Sequence, residues 1–263
     1  MSRITITGGA GRVAAAVRPR LALAGHAVHL LDVRAPADLA PTETAQEVDV
    51  TDVEALTEAF RGSDLVVHLA SYPDERSWAE IRDLNVESAW TTHEAVHRAG
   101  VPRVLAASSV HAVGFLPVAE AAHETVPAPR PDTLYGVSKV LLEALGSLYA
   151  DRHGHVVVSA RIMTSEPEPS TARSLGTWFS PDDAARLVEA ALALDEPGHH
   201  VVWGVSHNTR CPVSHAAGEA IGFLARDDAE AWADRFDERE KLAAARDVVG
   251  GPMAAEPLGG PRT

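Results

Sequence analysis

Short apolar runs rich in β-branched residues alternate along the chain with longer segments whose apolar residues recur at helical spacing. The short runs predict strands at 4–7, 27–31, 65–69, 103–107 and 156–162. Several of these runs are apolar on both faces, which is typical of strands buried in a parallel sheet. The longer segments predict helices at 12–24, 53–61, 77–98 and 133–152. Another helix is predicted at 181–194, because Ser180-Pro181-Asp182-Asp183 supplies an N-cap, a proline at the first position and early acids.

The alternation of strands and helices predicts an α/β fold, a Rossmann-type doubly wound parallel sheet with helices on both faces. Loops at 117–131 and 165–176 are expected to roof a ligand crevice at the carboxyl ends of the strands. His199 and His200 are predicted to lie in a turn after Pro197-Gly198. A surface helix is expected around 237–241, and the tail from Gly250 onward has little packing signal.

Composition and charge narrow the classes of partner. The 263 residues are 46% hydrophobic and carry a net charge of -14, which opposes binding to nucleic acid or to an anionic membrane surface. The mean hydropathy of -0.05 is that of an ordinary globular domain. One cysteine, Cys211, excludes an intramolecular disulfide and fits a reducing compartment. With no signal-peptide pattern and no apolar run of membrane-spanning length, a cytoplasmic protein is expected.

The 13 histidines are scattered along the chain and do not form a metal-binding motif. His93 and His97 have the i,i+4 spacing of a helical ligand pair, but the glutamate of a His-Glu-x-x-His motif is absent. No metal site is therefore predicted.

The segment Thr7-Gly8-Gly9-Ala10-Gly11-Arg12-Val13-Ala14 follows the first predicted strand and opens a helix. Glycine permits a tight turn and lets the backbone approach a pyrophosphate, while the helix start offers free N–H groups and a positive dipole end. Ala14 takes the third glycine position, where helix and strand pack closely. The alternative, a glycine-rich turn without a ligand, is less favoured by this placement, so a dinucleotide site is predicted.

Asp32 ends the second predicted strand and bears on the choice of dinucleotide. A carboxylate there accepts hydrogen bonds from a ribose diol and repels a 2′-phosphate, so NAD is predicted rather than NADP. The nearby Arg34 would soften this preference. A further strand, between those at 27–31 and 65–69 and third in chain order, is predicted to end at Asp49 and Val50. These two residues are candidates for holding the adenine, although a helix cap before Asp52 explains the same pattern.

Tyr135 and Lys139 are four residues apart, so a phenol and an ammonium share one helix face. The ammonium is expected to lower the tyrosine pKa, which would make the oxygen a usable base near neutral pH. Ser109, at the end of the fifth predicted strand, can hydrogen-bond the reacting oxygen. A Tyr-x-x-x-Lys spacing alone also fits a solvated helix face. Because the glycine-rich turn, Asp32, Ser109, Tyr135 and Lys139 follow one another in this order along the chain, together they indicate a hydride-transfer site.

These motifs resemble the extended short-chain dehydrogenase/reductase superfamily, or NAD-dependent epimerase/dehydratase family, over essentially the whole chain. More narrowly, the chain looks like the uronate dehydrogenases. The narrower resemblance lies in Ala107-Ser108-Ser109-Val110-His111-Ala112-Val113-Gly114-Phe115, Pro131-Asp132-Thr133-Leu134-Tyr135-Gly136-Val137-Ser138-Lys139, Arg161-Ile162, Pro167-Glu168-Pro169, Arg173, Thr177-Trp178, Trp203-Gly204-Val205-Ser206-His207-Asn208 and Gly222-Phe223.

The resemblance implies an NAD-dependent oxidation at C1 of a hexuronic acid or related carboxylated sugar to an aldarolactone. Tyr135 would be the base on the anomeric hydroxyl, Ser109 would share that hydrogen bond, and Lys139 would hold the ribose. The guanidinium fork of Arg173 would grip the substrate carboxylate. The implied cofactor residues are Gly8, Gly11, Arg12, Val13, Asp32, Val33, Asp49, Val50, Leu69, Ala70, Ser71, Ser108, Tyr135, Lys139 and Ile162. The implied substrate residues are Ser71, Ser109, His111, Tyr135, Thr164 and Arg173.

Three positions depart from the pattern of the uronate dehydrogenases. Val110 replaces a usual asparagine, Pro73 replaces a serine, and Thr164 replaces a serine while keeping the hydroxyl. The loss of two polar contacts is expected to weaken binding of a standard uronate by about 0.5–1.5 kcal/mol for each neutral hydrogen bond.

The domain organisation expected is a single Rossmann-like domain over 1–263, with the NAD-binding core in about 1–160 and the substrate-side loops and C-terminal helices in about 161–263. The resemblance also implies a homo-oligomer that associates through the helices carrying Trp90 and Tyr135. Two alternatives stay open. A sugar-nucleotide epimerase or dehydratase would retain NAD and need a larger substrate region, and a catalytically silent NAD-binding regulator would not need Ser109, Tyr135 and Lys139.

Overall fold

The computed structural model describes residues 1–123, 126–237, 239–240 and 247–260. The first half of the chain forms β1 (Arg3–Thr7), α1 (Arg12–Leu23), β2 (Ala27–Asp32), β3 (Glu43–Glu47), α2 (Val53–Phe60), β4 (Leu65–His68), α3 (Trp78–Glu80), a π-helical segment (Ile81–Val86), α4 (Glu87–Ala99) and β5 (Arg103–Ser109). The second half forms α5 (Val118–Ala121), α6 (Leu134–His153), β6 (Val156–Ile162), β7 (Thr164–Ser165), α7 (Ser174–Thr177), β8 (Trp178–Phe179), α8 (Pro181–Ala193), β9 (Gly198–Gly204) and α9 (Ala216–Ala220). Short 3₁₀ segments lie at Val110–Val113, Ala229–Arg235 and Gly251–Ala255.

In the described part of the chain, seven strands form one sheet in the order β3-β2-β1-β4-β5-β6-β9, and every pairing in it is parallel. The chain runs outward from β1 through β2 and β3, then crosses back to β4 and continues in the other direction. The strand order therefore reverses between β1 and β4, which is where doubly wound sheets form a ligand crevice. The predicted Rossmann-type fold is confirmed.

Apolar layers cover both faces of the sheet. One core packs α1 and α8 against the sheet, and the other packs α2, α4 and α6 against the opposite face. The central strands are buried on both sides, as their continuous apolar sequences predict. Both layers hold the carboxyl ends of β1, β4, β5 and β6 at one edge.

Two strands of the sheet escape the apolar pattern. β3 is a polar edge strand that pairs with β2, and it ends at Glu47, before Asp49 and Val50. β9 contains His199 and His200, which pair with Val157 and Val158 of β6. The predicted turn at these histidines is wrong, because pairing with β6 makes a strand of a segment that begins with a glycine and two polar residues.

The C-terminal segment 247–260 packs tightly, contrary to the weak packing expected of the tail. Val249 and Met253 are buried, and Val248 forms an antiparallel bridge with Pro117. Backbone N–H groups of Val249 and Gly250 donate to the carbonyl oxygens of Leu116 and Gly114. The surface helix predicted around 237–241 lies partly outside the described residues.

Among the described residues, no helix has both the length and the apolar character needed to cross a membrane. Within the same ranges, no three His, Cys, Asp or Glu side chains are grouped so that they could hold a metal ion.

Candidate active site

A cavity of about 860 Å³ opens at the carboxyl ends of β1, β4, β5 and β6. Both the glycine-rich turn and the C-terminal segment 247–260 contribute residues to its lining. Most of the residues predicted for the site line this cavity together: Gly8, Gly11, Arg12, Val13, Leu69, Ser71, Ser108, Ser109, His111, Tyr135, Lys139, Ile162, Thr164 and Arg173. Positions separated by more than a hundred residues in sequence therefore meet in one crevice.

Five of the predicted cofactor residues lie outside the cavity lining: Asp32, Val33, Asp49, Val50 and Ala70. The Asp32 carboxylate accepts the backbone N–H of Ala10 at 3.1 Å, so it adjoins the glycine-rich turn. The Asp49 carboxylate accepts the backbone N–H and the hydroxyl of Thr51, and Val50 is buried in the second core. Assignment of Asp49 and Val50 to the adenine stays a prediction.

The turn between β1 and α1 has the local form that a pyrophosphate requires. Gly8 has φ +71°, and a Cβ there would lie 2.9 Å from the backbone nitrogen of Ala70. Among the described residues no side chain caps the start of α1, and its first turn contains no acid, so its N–H groups and positive dipole end are available to an anion. The exposed Arg12 adds a positive charge at the same place. The residues present therefore fit NAD.

Tyr135 and Lys139 lie on the buried face of α6, beside the end of β5. The Lys139 ammonium donates to the carbonyl oxygen of Ala107 at 2.8 Å and to the hydroxyl of Ser71 at 3.1 Å. It lies 5.4 Å from the centre of the Tyr135 ring. Ser109 lines the same cavity as Tyr135, and its hydroxyl accepts the backbone N–H of His111 at 3.2 Å. The predicted arrangement of phenol, hydroxyl and ammonium is thus present.

The titration of these groups differs from the expectation. Burial raises the pKa of Tyr135 to about 12; hydrogen bonding to Ser109 acts in the opposite direction, and the charges of Asp74 and Asp132 raise it further. Burial lowers the pKa of Lys139 to about 8. The expected lowering of the tyrosine pKa is wrong for this structure, because desolvation by burial is the largest cause of the shift for both groups.

His111 is held by a buried carboxylate that the sequence analysis overlooked. Its Nδ1 lies 2.9 Å and 3.0 Å from the two oxygens of Asp132, whose side chain is fully buried. A carboxylate accepts, so the proton sits on Nδ1 and Nε2 is the nitrogen left to meet a ligand. The His111 ring also packs edge-on against Tyr135 at 5.9 Å.

Arg173 joins the substrate side of the cavity to the C-terminal segment. Its guanidinium donates to the carbonyl oxygen of Val249 at 2.8 Å and to the hydroxyls of Thr164 and Thr177 at 3.2 and 3.4 Å. A Cβ at Gly251 would lie 2.7 Å from Arg173 Nε, so the segment passes directly over it. These contacts fix the orientation of the guanidinium group.

The three departures from the uronate dehydrogenase pattern occupy different environments. Pro73 and Thr164 line the cavity, and Thr164 lies 2.8 Å from the hydroxyl of Thr177. Val110 is buried in an apolar cluster with Trp203 and Val205 and does not line the cavity. Of the two lost polar side chains, only the one at position 73 is replaced by a residue on the cavity wall.

A buried ion pair supports the floor of the cavity. Arg161 and Glu143 make two hydrogen bonds of 2.8–2.9 Å, and Glu143 also accepts the hydroxyl of Ser108 at 2.6 Å. Glu143 lies one helical turn after Lys139 on α6. This network therefore locks the catalytic helix onto β5 and β6.

The C-terminal segment forms a wall of the cavity that the sequence did not predict. The residues it adds to the lining are Gly250, Pro252, Met253, Glu256, Pro257 and Gly260. The only sequence feature that could have indicated this wall is the pairing of glycines with prolines in the tail. The loop 165–176 lines the cavity as predicted through Ser165, Glu166 and Arg173. The described residues of 117–131 do not, so that part of the prediction is wrong: this loop packs against the C-terminal segment instead.

Comparison with known proteins places the chain among dehydrogenases and epimerases. Residues 4–210 match the model of the NAD dependent epimerase/dehydratase family. Uronate dehydrogenase of Pseudomonas syringae pv. tomato is 35% identical over 90% of this chain and 86% of its own length. L-arabinose 1-dehydrogenase (NAD(P)(+)) of Haloferax volcanii is 37% identical over 73% of this chain and 84% of its own. A variant of the uronate dehydrogenase from Agrobacterium tumefaciens complexed with NAD superposes with a TM-score of 0.87 at 30% identity, covering 98% of each chain.

Proposed function

The chain belongs to the NAD-dependent epimerase/dehydratase family, and we propose that within it the protein oxidises C1 of a hexuronic acid to the aldarolactone. The observation that carries the proposal is that Ser109, Tyr135 and Arg173 line one cavity beside a dinucleotide-type glycine turn. The uronate dehydrogenase relatives support the same substrate class.

The reaction removes a proton from the anomeric hydroxyl and a hydride from C1. Bound NAD supplies the hydride acceptor and, when oxidised, a positive ring. The Tyr135 phenolate takes the hydroxyl proton, and Ser109 donates a hydrogen bond to the same substrate oxygen. As C1 gives up its hydride and the anomeric hydroxyl its proton, the exocyclic C1–O bond becomes a carbonyl. The sugar ring, already closed through its hemiacetal oxygen, thereby becomes a lactone.

Lys139 and the glycine-rich turn hold the cofactor in this proposal. The Lys139 ammonium, already held by Ala107 and Ser71, would donate to the ribose hydroxyls. Gly8, Gly11 and the start of α1 would bind the pyrophosphate. Asp32, which adjoins the turn, would accept the adenine ribose diol and select NAD over NADP.

Arg173 is the proposed partner of the substrate carboxylate. Its contacts with Val249, Thr164 and Thr177 hold the guanidinium at the cavity wall. His111, fixed by Asp132, would accept or share a sugar hydroxyl. Pro73 provides no polar contact, so we expect a higher KM for standard uronates than for a pocket with serine at that place.

The decisive experiment measures NADH formation with NAD and a panel of galacturonate, glucuronate, mannuronate and their neutral counterparts. Turnover confined to the uronates supports the proposal. Turnover of neutral aldoses alone would contradict the carboxylate class and point to C1 oxidation of a neutral sugar, the activity in the name of the Haloferax relative. The same panel with NADP tests the assignment of Asp32.

The alternative is a sugar-nucleotide epimerase or dehydratase, which would retain NAD and release no net NADH. It is tested by incubating the enzyme with UDP-glucuronate and following the sugar product by NMR. An epimerised product without NADH would favour the alternative. The small substrate side of this chain, with residues 247–260 lying over the cavity, speaks against a nucleotide diphosphate.

Self-association and location are further parts of the proposal. Trp90, Leu141 and Leu148 are exposed apolar residues on α4 and α6, which supports a homo-oligomer formed through these helices. Light scattering after size exclusion tests this; a monomer would contradict it. Dependence on NAD and the single Cys211 support the cytoplasm as the compartment, which cell fractionation would test.

A further inference from the structure

Glu75 is a buried carboxylate beside the active site. Its exposed fraction is 0%. Among the described residues no cationic side chain pairs with it, and the adjacent Arg76 contacts Asp74 and the Tyr72 ring instead. A buried carboxylate without a cation is costly unless several donors satisfy its oxygens.

Three backbone N–H groups supply those donors. Glu75 Oε2 accepts the N–H of Tyr135 at 2.9 Å. Its Oε1 accepts the N–H of Gly259 at 2.9 Å and that of Leu134 at 3.3 Å. Leu134 and Tyr135 are the first two residues of the 20-residue helix α6, so the carboxylate also meets the positive end of the helix dipole.

Glu75 is a part of the capping of α6 that no local sequence motif supplies. The Thr133 hydroxyl accepts the N–H of Gly136 at 2.8 Å, and the Thr133 carbonyl accepts that of Val137. The N–H groups of Leu134 and Tyr135 would be unsatisfied in this buried place without Glu75. The residue that satisfies them comes from about sixty positions earlier in the chain.

The loop that carries Glu75 is itself fixed at the site. Tyr72 exchanges two backbone hydrogen bonds with the buried side chain of Asn85, at 2.8 and 3.1 Å. Ser71, at the start of the same loop, accepts the Lys139 ammonium. One loop therefore contacts both ends of the Tyr-x-x-x-Lys pair, at the backbone of Tyr135 and at the side chain of Lys139.

Glu75 also contacts the C-terminal segment, because the Oε1 that accepts the N–H of Leu134 accepts that of Gly259 as well. Gly259 follows Glu256 and Pro257 and precedes Gly260, all three of which line the cavity. The other end of the segment is held by Arg173 through Val249. Glu75 and Arg173 thus hold the two ends of the wall that lies over the cavity.

We propose that Glu75 is a positioning residue of the active site: it sets the backbone of Tyr135 and holds the C-terminal segment over the cavity. The kinetic part of this inference rests on the proposed function. Glu75 does not line the cavity and so acts through Tyr135 and Gly259 rather than on the substrate.

The test replaces the carboxylate with its uncharged isostere, Glu75→Gln. An amide has one oxygen and one NH₂, so either the N–H of Tyr135 or those of Leu134 and Gly259 must face a second donor. We expect amide hydrogen exchange to quicken in peptides covering 133–137 and 256–260. We expect kcat for the active sugar to fall by about 10- to 100-fold, since small displacements of a catalytic group have effects of this size. The Kd for NAD should stay within about twofold, because the glycine-rich turn is held by other contacts.

Two further variants complete the test. Glu87→Gln removes the same charge from the exposed side of α4 and should change neither exchange nor kcat. Glu75→Asp keeps the negative charge on a side chain that is one methylene shorter, and its kcat should lie between those of the glutamine variant and the wild type. If the glutamine variant does not fold, the same measurements are made on the aspartate variant.

The outcomes separate this inference from the proposed function. Unchanged exchange in both peptides, or an unchanged kcat, would overturn the positioning role. A loss of NAD binding in step with kcat would overturn it as well, since that indicates general damage. If the wild-type protein oxidises no sugar in the panel, the proposed function fails, and the exchange experiment still decides whether Glu75 holds the two segments.

Discussion

At the scale of single residues, burial controls the chemistry of the site. The phenol of Tyr135 and the ammonium of Lys139 are both almost fully buried, and each pKa moves towards the neutral form. A phenol with a pKa of about 12 is almost wholly protonated at neutral pH, so little of the phenolate that acts as the base is present. Ser109 acts to lower the pKa of Tyr135, and the positive ring of oxidised NAD would act in the same direction. The rate of oxidation should therefore rise as the pH is raised above neutrality.

Replacement of the base tests this directly. Tyr135→Phe removes the phenol oxygen and should lower kcat by at least about 10²–10⁴-fold, the contribution typical of general base catalysis. NAD binding, measured by calorimetry, should be retained. Tyr149→Phe is the matched control, because its hydroxyl bonds Glu94 on the side of α6 away from the cavity. Normal turnover in the Tyr135 variant would remove it from the mechanism.

The proposed carboxylate partner gives a second residue-scale prediction. Arg173→Ala should raise KM for uronates by roughly 10- to 100-fold, since hydrogen bonds to charged groups contribute about 1.5–3 kcal/mol. The effect on neutral sugars should be much smaller. Arg235→Ala, which removes an exposed arginine paired with Glu168, serves as the control. Equal effects of the Arg173 change on both sugar classes would reject the carboxylate contact.

At the scale of secondary-structure elements, the packing of α4 against α6 buries a histidine. His93 of α4 stacks on Tyr149 of α6 with ring centres 5.5 Å apart. Burial lowers the pKa of His93 from 6.5 to about 3, and the nearby His199 and His155 act in the same direction. The two histidines of the i,i+4 pair therefore lie in different environments: His93 is buried, whereas His97 is exposed and stacks on His153.

This histidine should make stability depend on pH. Between pH 6.5 and about 3 the unfolded chain binds a proton at His93 that the folded chain does not, so the free energy of unfolding falls as the pH falls. The slope from this group approaches about 1.4 kcal/mol per pH unit. His93→Phe keeps an aromatic ring and should reduce the loss of stability between about pH 7.5 and pH 4.5, measured by urea denaturation. His123→Gln, an exposed position, should not; equal losses in wild type and the His93 variant would contradict the prediction.

At the scale of the whole molecule, the cavity is closed by parts of the chain that are distant in sequence. Gly8 packs against the backbone of Leu69 and Ala70, whereas Gly251 lies against Arg173, so close that a Cβ there would press on the guanidinium. A change in the last part of the chain should therefore act on the substrate side without reaching the cofactor side.

Gly251→Ala tests this separation. Gly251 has φ +63°, and its new Cβ would lie 2.7 Å from Arg173 Nε, so the guanidinium must move. We expect KM for the uronate to rise by about 10-fold, as for the loss of one good hydrogen bond, with the Kd for NAD unchanged. Gly25→Ala has a similar positive φ of +81° with no neighbour within 4 Å, so it isolates the backbone strain. A parallel rise in the Kd for NAD would contradict the separation.

The sequence by itself determined the features that depend on neighbouring residues. The buried strands, the cap at Ser180 and the glycine-rich turn lie where periodicity and local chemistry predict them. Tyr135 and Lys139 meet because their spacing places them on one face of a single helix. The order of these motifs along the chain predicted the fold, and the family resemblance that they carry implied 14 of the residues that line the cavity.

Only the tertiary structure decided what depends on pairing and burial across the chain. β9 is a strand because β6 pairs with it, although its histidines hide the apolar pattern. The strand expected to end at Asp49 and Val50 ends instead at Glu47, where its pairing with β2 stops. The partnership of Asp132 with His111 and of Glu75 with Tyr135 and Gly259 has no local signature. The direction in which the pKa of Tyr135 shifts could also be determined only from the structure. Desolvation depends on how completely the fold surrounds a group, and no spacing of residues specifies that.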